Sequence, residues 1–172
     1  IRLVTQVWRP LNNDRHEVVF FSHGSTGALA VSPIEPAGDG PPRPLLQFFL
    51  SRGYTVVWPT RRGRGMSTGK YIEECPTLVG ECTVDEQLAL TDRGIASALE
   101  DNYAVIDQLV IGKMVPRDAR LLLVGQSRGG FLSLIMAGQR AAQVKGVVNF
   151  AGGWQSMPER LSPEDLRRRL DI

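Results

Sequence analysis

Four short apolar runs punctuate the chain, and none keeps a strict polar alternation: Glu17–Ser22, Tyr54–Trp58, Arg120–Val124 and Val144–Phe150. A strand with one wet face alternates apolar and polar residues, whereas a strand covered on both faces reads as a nearly continuous run of β-branched and aromatic types. Between the runs the spacing turns helical. Prolines at Pro33, Pro36, Pro41, Pro42 and Pro44 exclude regular structure until Leu45, where a short helix runs to Ser51 and stops at Arg52-Gly53. Val84, Leu88, Ile95, Leu99, Tyr103, Ile106 and Val110 recur mostly at intervals of three, four or seven, one face of a long helix. Thr83 and Glu86 have the spacing of a capping box at its start. A further helix spans Arg128–Arg140, and the opening residues, Ile1–Trp8, alternate as a strand does. Strands and helices taking turns in this way predict an α/β fold, a mostly parallel sheet with helices on both faces.

Composition narrows this picture. A chain of 172 residues with 42% hydrophobic content can bury one sizeable core, so residues 1–172 are expected to form a single domain. The net charge of +2 gives no push toward nucleic acid or an anionic membrane, and no apolar run is long enough to span a bilayer. Because the chain opens on Ile1, it is expected to be a processed product, a trimmed piece or part of something longer. Cys75 and Cys82 fit neither a zinc pair nor a redox motif. Joined, they would close a small loop worth roughly 2.5 kcal/mol and imply a periplasmic or secreted setting; as two thiols they fit the cytoplasm.

The chemistry concentrates at Gly125-Gln126-Ser127-Arg128-Gly129-Gly130, which joins the strand ending Leu-Leu-Leu-Val to the helix beginning Phe-Leu-Ser-Leu-Ile-Met. In a chain with 18 glycines the pattern alone is weak, and its placement between strand and helix gives it weight. In a nucleophile elbow the serine turns sharply there, glycines avoid collisions with the backbone, and the hydroxyl stands at the carboxyl end of the sheet. Without chemistry the same residues would be a tight strand-to-helix turn. His23-Gly24-Ser25-Thr26-Gly27 also follows a buried strand. Small residues in such a loop can turn the backbone N–H of Ser25 toward the oxyanion formed when a serine attacks a carbonyl, with the N–H of Arg128 as second donor. The plainer reading of this loop is an ordinary strand-end turn.

The order His-Gly-x-x-Gly, then Arg-Gly-x-Gly-x-Ser at Arg62–Ser67, then Gly-x-Ser-x-Gly-Gly resembles the α/β-hydrolase superfamily, most closely the dienelactone-hydrolase and prolyl-oligopeptidase-like esterases. The likeness runs from Val18 to Gly153. It implies the α/β-hydrolase fold, truncated after its nucleophile half, with His23 as a structural histidine of the oxyanion loop. Members often carry Asp two residues before the arginine where this chain has Thr60, a departure confined to a structural loop.

A serine needs a base to take its proton and a carboxylate to orient the base. In this fold they follow the serine in the order acid, histidine. Here the only histidines, His16 and His23, precede it, and the later acids Glu159, Glu164, Asp165 and Asp171 follow no sheet strand. They belong to a stretch, 155–172, that reads as the start of a lid, with a helix opening at Ser162. The resemblance implies two further strands that carry the acid and the histidine, supplied by missing or separate polypeptide.

Other constellations fail. Arg64–Tyr71 departs from a phosphate loop at its first glycine and its Ser/Thr. Arg61, Arg62 and Arg64 lack the aromatic platform of a nucleic-acid site and are better read as bracing the sheet. No grouping has metal-ligand spacing, and no cofactor is implied. The side chain of Arg128 either pairs with a substrate carboxylate or forms a salt bridge or solvated contact. The expected function is a carboxylesterase-like serine hydrolase working through an acyl-enzyme on Ser127, with a small-molecule ester as substrate and little turnover by this chain alone. A prolyl-oligopeptidase-like peptidase and a non-catalytic binding fragment are the alternatives.

Overall fold

The computed structural model describes residues 1–24, 40–72 and 83–153. Its elements are β1 (Thr5–Trp8), β2 (Glu17–Ser22), α1 (Arg43–Ser51), β3 (Tyr54–Pro59), α2 (Val84–Ile111), β4 (Leu121–Gln126), α3 (Arg128–Gln139) and β5 (Val144–Phe150), with a short 3-10 turn, Ala141–Gln143, before β5. All four apolar runs are strands, and the opening segment supplies β1. The expected α1 start moves from Leu45 to Arg43: Pro44 sits in the first turn, where a missing N–H costs no helical hydrogen bond.

The sheet order is β1-β3-β2-β4-β5, antiparallel only between β1 and β3. From β2 the chain crosses through α1 to β3 on one side, then returns through α2 over β2 to place β4 on the other. The β2–β3 and β3–β4 crossovers run in opposite directions across the sheet, so a topological switch point lies at the carboxyl ends of β2 and β4, where α/β sheets open a crevice for ligands.

Successive residues of β2 point to opposite faces, and each face has its own core. Val18 and Phe20 join Val57, Leu121 and Leu123 beneath α2 and α3, against Leu99, Ile106, Leu132, Ile135 and Met136. Val19 and Phe21 join Val56, Trp58 and Val124 beneath α1, against Phe49 with Leu45, Leu46 and Leu50 around it. Helices therefore cover both faces. Each fully buried side chain among them, such as Phe20, Val57 or Leu132, stabilises the fold by about 2 kcal/mol, and the half-buried Leu45, Leu46 and Leu50 contribute less. The capping box at Thr83 and Glu86 is formed on both sides, the Glu86 N–H donating to Thr83 Oγ1 and the Thr83 N–H to Glu86 Oε2. The packing face of α2 is broader than its Leu and Ile spacing suggests, because Ala98, Val105 and Leu109 are buried with Leu99 and Ile106. The side chains of Val84 and Leu88 lie outside the described residues, as do Cys75, Cys82 and the 155–172 segment.

Candidate active site

β2 and β4 lie side by side with Ser22 opposite Gly125, so His23-Gly24 and Gln126-Ser127 leave the sheet together at the switch point. Ser127 turns between β4 and α3 at φ +50° and ψ −122°, a region that non-glycine residues rarely occupy. Its N–H donates to the Phe150 carbonyl at 2.8 Å, and its carbonyl accepts from the Phe131 N–H at 3.1 Å, which pins the turn to β5 on one side and to α3 on the other. The Ser127 hydroxyl makes no capping bond to its own helix.

The glycines around it are there for space. A Cβ on Gly129 would lie 2.0 Å from the Ser22 carbonyl oxygen, and one on Gly125 would lie 2.1 Å from that of Gly129. A real side chain at either place would push β2, β4 and α3 apart. A Cβ on Gly24 would stand 3.4 Å from that of Ser127, so the two motifs separated by a hundred residues of sequence are in van der Waals reach.

His23 is 4% exposed and both of its ring nitrogens face backbone. Nδ1 lies 2.8 Å from the Gly24 carbonyl, and Nε2 receives a longer contact, 3.4 Å, from the Arg61 N–H. The two contacts require one tautomer, neutral imidazole with its proton on Nδ1. Burial, and after it the nearby Arg61 charge, hold the His23 pKa well below its ordinary range, so the ring stays neutral. With both nitrogens engaged, it braces the loop and is in no position to act as the base. His16 stands exposed at the amino end of β2, roughly 20 Å along the strand from the Ser127 end of the sheet.

Two of the arginines act as braces, though on the turn after β2 and on α2 and not on the sheet itself. Arg61, 1% exposed, donates from Nη1 to the His23 carbonyl at 2.7 Å and from Nη2 to the Gly24 carbonyl at 3.0 Å. Arg62 donates from Nε and Nη2 to Asp101 Oδ1, at 2.9 and 2.6 Å, and from its N–H to Oδ2 at 2.9 Å. The Asp101 carboxylate raises the Arg62 pKa above its already high value. Ser67, last residue of the Arg-Gly-x-Gly-x-Ser motif, donates to the Thr60 carbonyl at 2.7 Å and accepts from the Val4 N–H at 2.9 Å. The contributions of Asp101, and of Asn102 beside it, which donates to Ser22 Oγ at 3.2 Å, had no sequence signal, since the two stand with Glu100 in a run of three polar residues that reads as a solvated helix face.

Arg128 opens α3 with its side chain 5% exposed, which places it among buried atoms at the elbow. Its backbone N–H is at the amino end of the helix, where amides lack intrahelical acceptors and the helix dipole favours negative charge. Ser25 lies outside the described residues, as do Glu159, Glu164, Asp165 and Asp171. Two hollows among the described residues lie at the other end of the sheet, around Val110 and Val115, one of them reaching Val18 and Thr55.

No family model matches the chain, and no curated protein matches it. Solved structures do. It aligns with an α/β serine hydrolase without a lid from Xanthomonas campestris at 17% identity and a TM-score of 0.55, covering 91% of this chain and 60% of that one. A monoacylglycerol lipase from Paleococcus ferrophilus aligns at 20% identity and a TM-score of 0.55, over 94% of this chain and 48% of the lipase. Dienelactone hydrolase from Anabaena variabilis aligns at 18% identity and a TM-score of 0.52, over 87% and 57%. This chain thus spans less than two thirds of the length of each. Strand order, elbow and these likenesses agree: over the stretch that carries Ser127, the chain has the fold of the α/β-hydrolase superfamily.

Proposed function

We propose that the protein is a serine hydrolase of the carboxylesterase type, in which Ser127 attacks an ester carbonyl and forms an acyl-enzyme. The observation that carries this reading is the strained Ser127 turn at the switch point, with Gly24 beside it. Strain of this kind persists where the surroundings over-determine it, and it clusters at reacting residues. The backbone amides of Ser25 and Arg128 supply the oxyanion hole. An acid and a histidine come from further polypeptide, since neither histidine of this chain reaches Ser127 as a base. The solved neighbours named above include a lipase and a dienelactone hydrolase, which supports hydrolysis of an ester-like bond.

The test is labelling with a fluorophosphonate probe, applied to this chain and to the longer or assembled protein. Labelling of Ser127 in the longer form, lost in Ser127→Ala together with ester hydrolysis, is the expected result. Turnover by Ser127→Ala within about tenfold of the parent would overturn the assignment, because removing a nucleophile of this kind costs on the order of 10⁶ in kcat. No labelling in any form would make the protein a binder.

A further inference from the structure

We infer that Asn149 is a positioning residue for the nucleophile, one that fixes the direction of the Ser127 side chain by closing the turn on which the elbow leans. The inference rests on Ser127 being the nucleophile. Asn149 stands opposite Gly125 in the parallel pair of β4 and β5, so its backbone is anchored in the sheet. Its side-chain Oδ1 accepts from the Gly152 N–H at 2.7 Å, and its Nδ2 donates to the Gly152 carbonyl at 2.8 Å. An asparagine can do both because its flat amide carries an acceptor and a donor side by side. Held in this way are the two peptide units that flank Gly152. Within the ring closed by these bonds lies the peptide unit that joins Phe150 to Ala151, and Ala151 stands at φ +53°, where a residue with a side chain is strained. The carbonyl of that unit is the one that accepts the Ser127 N–H at 2.8 Å.

The turn meets the elbow at a second point. A Cβ on Gly130 would lie 2.1 Å from Asn149 Oδ1, and one on Gly152 would lie 2.6 Å from both the Gly130 carbonyl carbon and the Phe131 nitrogen. The Asn149 amide is therefore wedged between two glycines, and the second glycine of Gly129-Gly130 leaves room for it. The Phe131 N–H in turn donates to the Ser127 carbonyl. Peptide units are planar, so the two that flank Ser127 are each held by a hydrogen bond, the one before it through its N–H on Phe150 and the one after it through its carbonyl under Phe131. Two held planes that meet at a tetrahedral carbon leave its Cα–Cβ bond one direction. Without the clip, Ala151 can leave its strained conformation and the Phe150 carbonyl swings. Ser127 then loses one of the two constraints that keep it at φ +50°.

The experiment compares the complete protein, acid and histidine included, with its Asn149→Ala variant, at a temperature where far-UV circular dichroism shows both fully folded. Misplacing a reacting group by about 1 Å can cost on the order of 10²-fold, so a hydroxyl that is kept but less firmly aimed is expected to lower kcat for a p-nitrophenyl ester roughly 10- to 100-fold. KM should stay within about threefold, because the ground-state complex gains little from where the hydroxyl points. The rate constant for fluorophosphonate labelling of Ser127 should fall by the same factor as kcat/KM, a split that a merely structural role would not produce in fully folded protein. Unchanged kcat, or a loss carried by KM with the labelling rate retained, overturns the inference. Should Asn149→Ala fail to fold, Asn149→Asp keeps the acceptor for the Gly152 N–H and removes the donor to its carbonyl. A parallel loss of about three- to tenfold in kcat and labelling rate is then expected, and no change in either overturns the inference. A parent protein that takes no fluorophosphonate label at Ser127 overturns the nucleophile assignment itself, an outcome distinguishable from either variant result.

Discussion

At the scale of single residues, the site is a matter of who may stand close to whom. Ser127 holds a backbone conformation that costs a non-glycine residue on the order of 1–3 kcal/mol, and it does so between hydrogen bonds to Phe150 and Phe131. Gly129 makes that possible by letting α3 rest on β2. Gly129→Ala is expected to destabilise the protein by about 3 kcal/mol, seen as a lower urea midpoint, because the 2.0 Å contact is with backbone that cannot rotate away; an unchanged midpoint would show that the elbow is looser than this. His23 makes a second expectation. Its pKa is lowered well below 6.5, chiefly by burial and then by Arg61, so on acidification the unfolded chain takes up the proton while the folded one stays neutral. The stability it lends is complete above that ordinary value and drains as pH falls below it, at up to about 1.4 kcal/mol per pH unit until the folded value is reached. Urea midpoints between pH 7 and pH 5 should fall more steeply for the parent than for His23→Gln, and parallel profiles would remove His23 from the account. Ser127 and its glycines were legible in the sequence, since local rules of turn and strand govern them, whereas the bracing character of His23 was implied only by the resemblance to a known superfamily. The two carbonyls under Arg61 were not legible, because a guanidinium reaches partners 37 and 38 positions away only once the sheet is built.

At the scale of elements, the loop from Thr60 to Tyr71 and the helix α2 form one unit. The buried carboxylate of Asp101 receives the Arg62 backbone and side chain together, and the loop is thereby hung on the middle of α2. Asp101→Asn removes the charge from this contact and is expected to cost about 2 kcal/mol. The figure is below the roughly 3–5 kcal/mol of a fully buried pair because the Arg62 side chain is 19% exposed. If denaturant unfolding shows less than about 0.5 kcal/mol, the pair contributes no more than a surface ion pair does. Sequence periodicity found α2 and its cap, and it found α1 apart from the first turn, where Pro44 reads as a breaker although the amino end of a helix accepts it. The smaller apolar residues of α2, Ala98 among them, carry little hydrophobic signal singly and are buried only because the sheet stands close.

At the scale of the whole molecule, the reversal of direction between the β2–β3 and β3–β4 crossovers brings two motifs a hundred residues apart to one crevice. From the sequence by itself came the strands, the helices, a serine at a strand-to-helix turn and a histidine-glycine turn after another strand. Each of these depends on neighbours within a few positions, where backbone sterics and the period of apolar residues are decisive. Tertiary structure alone decided that β2 and β4 are adjacent, that Gly24 lies beside Ser127, and that Arg61 and Asp101 hold the intervening loop in place. These contacts depend on strand order, and strand order follows from which apolar faces bury each other once the chain has crossed the sheet, a free energy shared by many residues and written at no single position.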